Sequence, residues 1–208
     1  MTSLDTPAEL DAPPRLDEAA RTALFTGART ANTFAPTPVS DEELVQVWEL
    51  ARWAPTGANL QPLRVLYVRS PEARARLLPH LADTNRERAA SAPVTAVLAL
   101  DDRFHETIPH VAPFLAGLQP ALEQDDAMRG EMGGYSAALQ AGYFILAVRA
   151  VGLAAGPMGG FDKAGVDAEF FAGTTWRSTL VVNIGHPGEG AFRPRLPRLP
   201  LEDVVRFA

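Results

Sequence analysis

Apolar positions recur along this chain at two spacings, and the switches between them lay out its elements. Leu44, Val47, Trp48 and Ala51 fall on one face at helical spacing. They follow Ser40-Asp-Glu-Glu43, where the serine hydroxyl and the glutamate side chain can satisfy each other's orphan N–H groups. A helix is therefore predicted from Ser40, stopping before Pro55. Arg64–Val68 is strand-like, and Val94–Leu100 is a continuous apolar run, the pattern of a strand buried on both faces. Ser70-Pro71 opens another helix, with proline at its first position, running to about Ala82 and leaving Arg74 on its exposed face. Gly134–Val151 is apolar on nearly every side (Ala137, Leu139, Tyr143, Phe144, Leu146, Val148), which predicts a helix buried centrally or against a partner. Gly152 caps it. Leu153–Met158 and Thr179–Ile184 are predicted strands, with a short helix over Asp162–Phe171 between them, capped by Asp162.

The remaining stretches are less periodic. Residues 1–16 are expected to be a flexible arm, and Asp17–Thr26 a short helix ended by Gly27. Asp101–Met132 is the least regular part, with Pro109, Pro113, Pro120 and mixed charges. A segment this long inside a compact domain is expected to be a functional lid or an interface element. Helices alternating with short buried strands predict an α+β fold, an α/β sandwich, in a single domain over residues 17–208 without internal repeats.

Composition removes function classes. A hydrophobic share of 47% and a charged share of 21% are globular values. The net charge of −6 argues against a nucleic-acid or anionic-membrane partner. The absence of cysteine excludes disulfides, thiolate metal sites and a cysteine nucleophile, and fits a cytoplasmic protein. Met1–Pro14 is polar and acidic, unlike a signal peptide, and the longest apolar run, near Tyr143–Ala150, is too short to span a bilayer. Lys163 is the only lysine, so Schiff-base chemistry would rest on it alone. His80, His105, His110 and His186 are expected to be isolated surface or loop histidines, with no metal site, and the Tyr143–Phe144 pair to be core. No glycine-rich dinucleotide fingerprint, P-loop, zinc-binding helix or serine elbow is present. An enzyme built this way would borrow its chemistry from a cofactor.

Four segments carry candidate binding chemistry. Arg52-Trp-Ala-Pro-Thr-Gly-Ala-Asn-Leu-Gln-Pro62 sets Thr56, Asn59 and Gln61 around Gly57, with Pro55 and Pro62 fixing φ near its ends. Its hydroxyl and amides donate and accept hydrogen bonds, and none is an acid, a base or a strong nucleophile. Arg29-Thr-Ala-Asn32 places an arginine and a hydroxyl just past a helix. Gly156-Pro-Met-Gly-Gly-Phe-Asp162 follows a strand and exposes backbone N–H groups. Arg193-Pro-Arg-Leu-Pro-Arg198 supplies three guanidinium groups. Taken singly, an arginine cluster is usually solvated and Gly-Gly is usually a turn. Together they offer two phosphate-gripping cationic patches, an amide loop and a backbone-donor loop, a set that suits flavin mononucleotide (FMN).

In this order and spacing the segments resemble the nitroreductase family of FMN-dependent oxidoreductases, over roughly Ala23 to the C-terminus. Leu24–Asn32, Trp53–Asn59, Ala92–Ala96, Gly152–Asp162 and Asn183-Ile-Gly185 look most like its malonic semialdehyde reductase branch, which serves pyrimidine degradation. The resemblance implies a dimeric, mostly antiparallel sheet flanked by helices, with FMN at the subunit interface and NADH or NADPH as electron donor. It implies ping-pong hydride transfer at flavin N5 with no catalytic side chain. Arg29, Arg195 and Arg198 would hold the phosphate, helped by Thr30 and Asn32. Pro55, Thr56, Gly57, Asn59 and Gln61 would reach the flavin from the other subunit, and Pro157, Met158, Gly159 and Gly160 would line its ring. Many members carry a glutamate where this chain has Gly159, a departure that favours a semialdehyde over a nitroaromatic substrate. Two readings stand beside this one: a nitroaromatic or quinone reductase on the same scaffold, and a flavin-binding protein without turnover. A structural dimerisation module is the third.

Overall fold

The computed structural model describes residues 14–208, so most of the expected N-terminal arm lies outside the described residues. In chain order the elements are α1 (Glu18–Arg21, continued by a π-helical turn to Thr26), α2 (Asp41–Ala51), β1 (Leu63–Val68), α3 (Pro71–Leu77), α4 (Asp83–Ser91) and β2 (Val94–Asp101). There follow α5 (Ile108–Val111), α6 (Leu118–Gln124), α7 (Asp126–Ala150), β3 (Ala154–Met158), α8 (Lys163–Phe170), β4 (Trp176–Gly185) and α9 (Leu201–Val204). The strands form one sheet in the order β1-β2-β4-β3, every neighbouring pair antiparallel. The expected α+β architecture is what forms.

The two apolar faces of β2 explain the layering. Val94, Ala96 and Leu98 point into a cluster with Leu44, Val47 and Ala51 of α2 and Phe144, Ala147 and Val148 of α7. Val97 and Ala99 point the other way, against Leu77 of α3, Ala89 of α4 and Val166 of α8. Side chains alternate across a strand, so a run this apolar must be covered twice, its one interior polar side chain, Thr95, being satisfied by Asn183 Oδ1 (2.9 Å). Burying each of the Val, Leu and Phe side chains among these stabilises the fold by roughly 1.5–3 kcal/mol, which makes this double-sided packing the main source of order. The capping box at Ser40 forms in both directions, Glu43 N to Ser40 Oγ at 3.2 Å and Ser40 N to Glu43 Oε2 at 2.8 Å.

Three departures from the sequence expectations have physical reasons. The helix expected to run to Ala82 ends at Leu77, and α4 follows it, unforeseen because its Asp-Thr-Asn-Arg-Glu-Arg stretch carries almost no apolar periodicity. The irregular 101–132 stretch resolves into short helical turns around their own apolar cluster of Leu60, Phe104, Ile108, Ala112 and Leu122. α7 starts at Asp126, capped by Asp125 Oδ1, eight residues before Gly134. Gly133 lies inside it because a Cβ there would fall 2.5 Å from Phe104 Cε1. Only one face of α7 is buried, through Ser136, Ala137, Gln140, Ala141, Phe144, Ala147 and Val148. Phe144 is core as expected, whereas Tyr143 stays 42% exposed and Tyr135 68%. Among the described residues, no helix is long and apolar enough to cross a membrane.

Candidate functional site

The loop between α2 and β1 is held in an unusual backbone. Ala58, Asn59 and Gln61 have φ of 52°, 55° and 46°, the left-handed region that favours glycine. Each such residue costs on the order of 1–3 kcal/mol and persists only where its surroundings over-determine it, typically at ligand sites. The surroundings are visible here. Gly57 N donates to Ser136 Oγ of α7 (3.2 Å), Leu63 N to Gln140 Oε1 (3.0 Å) and Arg64 Nη1 to Gln61 O (2.9 Å). Asn59 Nδ2 donates to Val111 O (2.7 Å), and Gln61 Nε2 to Asn59 Oδ1 (3.0 Å). The two amides are therefore partly spent on shaping the loop. Pro55, Gly57 and Asn59 remain exposed and Thr56 half-buried.

At the opposite edge of the sheet, residues 26–32 meet residues 191–198. Ala31 N donates to Ala155 O of β3 (3.0 Å) and Asn32 N to Ala191 O (2.9 Å), laying residues 29–32 along β3. Gly156 permits this approach: a Cβ there would sit 2.8 Å from Ala31 O. The result is a cavity of about 250 Å³ whose lining includes Arg29, Thr30, Asn32, Arg193, Arg195 and Arg198. The segments proposed from sequence to share a phosphate thus do share a cavity. Arg29 Nη1 reaches Arg193 O (3.3 Å), and Arg195 Nη2 holds the carbonyls of Thr26 (2.6 Å) and Ala28 (2.9 Å). None of these arginines pairs with a carboxylate among the described residues. Arg52, Arg64, Arg69, Arg76, Arg86, Arg103, Arg129 and Arg177 all do. Guanidinium groups gathered in this way give the cavity a positive character.

Arg149, in the last turn of α7, adds a further cation that the sequence did not single out. Its Nη1 donates to Leu24 O (3.2 Å), and it lines an adjoining cavity of about 380 Å³ together with Arg29. Burial, and then the neighbouring Arg195 charge, push its pKa below the usual arginine range. In sequence it looks like any basic residue at a helix C-terminus.

Past the end of β3, Gly159 and Gly160 are exposed. Gly160 O accepts from Ala82 N (3.1 Å) and from Asn85 Nδ2 (2.9 Å), so the 82–85 turn fixes the glycine pair. Asn85, on the unforeseen α4, is a second residue missed from sequence. The Met158 side chain points into the core, with Asn183 Nδ2 3.6 Å from its sulfur, and only its backbone is left to line a site. Two other expectations are corrected. His105 is no surface histidine; it is fully buried and bonded to Glu123. Arg74 is half-buried, donating to Ala90 O (3.3 Å) and Pro93 O (3.0 Å), because α3 turns that face onto the end of α4.

The 55–61 loop and the arginine cavity do not meet within one chain. Leu63 registers with Leu100 and through it with Arg177, whereas Ala155 registers with Ile184. The two corners are separated by three inter-strand spacings, about 14 Å, and by seven residues along β4, about 23 Å. Among the described residues no group of His, Asp and Glu could hold a metal ion.

Residues 26–186 match the model of the nitroreductase family. The chain belongs to that family. A Streptomyces coelicolor relative with the provisional name NADH dehydrogenase/NAD(P)H nitroreductase is 57% identical over 195 residues, 94% of this chain and 96% of its own length. Among solved structures, a nitroreductase family protein from Streptococcus pneumoniae superposes with a TM-score of 0.78 at 24% identity, covering 89% of this chain and 98% of the other. A protein from Exiguobacterium sibiricum, provisionally named a nitroreductase and solved in complex with FMN, gives 0.77 at 20% identity, with 90% and 96% covered. At those identities the two structures establish the shared nitroreductase fold.

Proposed function

We propose that this nitroreductase-family protein is an FMN-dependent NAD(P)H oxidoreductase, that residues 17–208 form its FMN-binding domain, and that it works as a homodimer. The observation that carries the reading is the cavity between residues 28–32 and 193–198, where Arg29, Arg193, Arg195 and Arg198 gather without a carboxylate partner among the described residues. That donor set fits a phosphate ester: guanidinium forks match phosphate oxygens, and Thr30 and Asn32 add neutral donors beside them. Gly159 and Gly160, held by Asn85 and Ala82, offer backbone N–H groups where the ring edge would lie. Pro157 and the Met158 backbone complete that wall. From a second chain, Pro55, Thr56, Gly57, Asn59 and Gln61 would close the other side. FMN, when bound, accepts hydride from NADH or NADPH and passes it to a second substrate, so no side chain need be a catalyst. The exposed apolar side chains of Trp53, Leu50, Tyr135 and Tyr143 supply a surface for the second copy.

For the second substrate we favour malonic semialdehyde, reduced to 3-hydroxypropionate in pyrimidine degradation. Gly159, without a side chain at the ring, supports this choice, and the lack of cysteine suits a cytoplasmic setting. The name of the Streptomyces coelicolor relative favours the alternative, a nitroaromatic or quinone substrate. Stopped-flow reoxidation of the reduced protein against semialdehydes, nitroaromatics and quinones decides between them: the semialdehyde should give the largest kcat/KM. A nitroaromatic ahead by a large factor transfers the assignment to the alternative. FMN released by heat and identified by chromatography tests the cofactor, and recovery of FAD, or of no flavin after reconstitution, removes it.

A further inference from the structure

His105 is fully buried, yet the site above makes no use of it. Its Nε2 lies 2.6 Å from Glu123 Oε2, while its Nδ1 is buried with no hydrogen-bond partner among the described residues. With only one nitrogen matched, the arrangement is satisfied when Nε2 carries the proton and donates it to the carboxylate. Arg103 grips the same carboxylate through Nη1 (3.1 Å) and Nη2 (2.9 Å), and Glu106 holds Arg103 in turn at 2.8 and 2.6 Å. Glu123 lies in the last turn of α6, whereas His105 lies within, and Arg103 just before, the Phe104–Thr107 turn that opens the 104–124 cap. Arg129 of α7 reaches the same end of α6, bonded to Leu122 O (2.7 Å) and to Asp126.

The cap in turn rests on the strained loop. Ala58 and Leu60 pack into the cap's apolar cluster, and Asn59 Nδ2 is bonded to Val111 O. Cap and loop are thus joined by apolar packing and by this hydrogen bond. The Arg103–Glu123 pair is open to solvent on both sides, 40% and 48% exposed, and such pairs hold little by themselves. The bond from a buried ring is different, because breaking it leaves a buried donor unsatisfied. An imidazole with one idle nitrogen in an apolar cluster is a cost that leucine would avoid, which points to a role for the bond itself.

We propose that His105 is a positioning residue: by donating to Glu123 it closes the 104–124 cap on itself and, through the cap's packing on Ala58 and Leu60 and the Asn59–Val111 bond, holds the 56–61 loop in place. The inference rests on the reading of that loop as a flavin-side loop. The holoprotein, H105F, H105Q and E123L are compared by amide hydrogen exchange and by steady-state kinetics with the best acceptor of the reoxidation panel. Phe keeps the ring packing without the donor, Gln keeps a donor near the Nε2 position, and Glu123 is an exposed site whose loss leaves the core intact. In H105F and E123L, exchange should quicken about tenfold or more across both 57–61 and 104–124, with the sheet unchanged. KM for the acceptor should rise by a larger factor than kcat falls, and H105Q should recover most of both effects. Faster exchange confined to 104–124, or H105Q behaving as H105F, overturns the proposal. If the protein holds no flavin, the functional reading falls and the exchange result alone still decides whether His105 couples cap to loop.

Discussion

Arg29 and Arg198 come from opposite ends of the chain and face one cavity, so their loss should read directly on phosphate binding. A hydrogen bond to a charged group contributes about 1.5–3 kcal/mol. Arg29→Ala or Arg198→Ala should therefore weaken FMN binding by roughly one to two decades, measured by fluorescence titration of the apoprotein. Arg→Lys should recover only part, since it keeps the charge and loses the fork. Arg195→Ala should also lower Tm, because Arg195 holds the carbonyls of Thr26 and Ala28. Arg74 is unsuitable as a control given its bonds to Ala90 and Pro93, and Arg76, exposed on α3 and paired with Glu169, is the better one. Should Arg29→Ala and Arg198→Ala both bind FMN like wild type, the phosphate assignment is wrong. Gly156→Ala tests the same pocket through the backbone. Its new methyl would meet Ala31 O at 2.8 Å, an atom that cannot rotate away. The substitution should cost about 1–3 kcal/mol in a thermal melt and displace residues 29–32, reducing FMN affinity. Wild-type affinity in G156A would show that the segment is not held by this approach.

At the level of elements, the cap offers a pH test with a definite sign. The hydrogen bond from His105, followed by that from Arg103, holds the Glu123 carboxyl below the usual glutamate range. A carboxylate with a lowered folded-state pKa contributes stability that is present above its unfolded value, near 4.5, and lost as pH falls through the lowered folded value. The cap should thus loosen in acid only below the ordinary glutamate range. Limited proteolysis across 104–124 should show this, and E123Q should remove the pH dependence; a wild-type transition at or above the ordinary glutamate pKa would contradict it. The difference between α2 and this cap shows what sequence can reveal. α2 and β2 were legible because capping chemistry and apolar runs are local signals, present in Ser40–Glu43 and Val94–Leu100. α4 and the cap were not, because Asn85 and His105 acquire their roles only from partners distant in the chain, Gly160 and Glu123. The 55–61 loop was legible as a binding loop by its residue types. Its left-handed backbone was not, since Ala58 and Gln61 carry no sequence signal for positive φ.

On the scale of the whole molecule, the question is how a loop at one corner of the sheet can serve an arginine cavity at the diagonal corner. Three inter-strand spacings and seven residues separate them, about 27 Å along the diagonal. The proposed two-fold pairing would answer it without bending the sheet, if the isologous interface brought the loop of each chain to the cavity of the other, twice. That arrangement predicts complementation. Arg29→Ala damages the cavity, and Gly57→Val, at an exposed loop position beside Ser136, damages the loop. Each homodimer then carries two sites with one defect apiece. In the mixed dimer, one site collects both defects and the other collects none. Co-expression with two affinity tags, and purification through both, isolates that species. It should bind FMN at about half the wild-type stoichiometry, with wild-type affinity at the occupied site, and should regain about half of the NAD(P)H oxidation rate. If each chain built its site alone, both sites of the mixed dimer would stay defective and nothing would be regained. A stable 22.3 kDa monomer that retains flavin in light scattering would end the argument sooner, since no second chain would then be present to lend its loop.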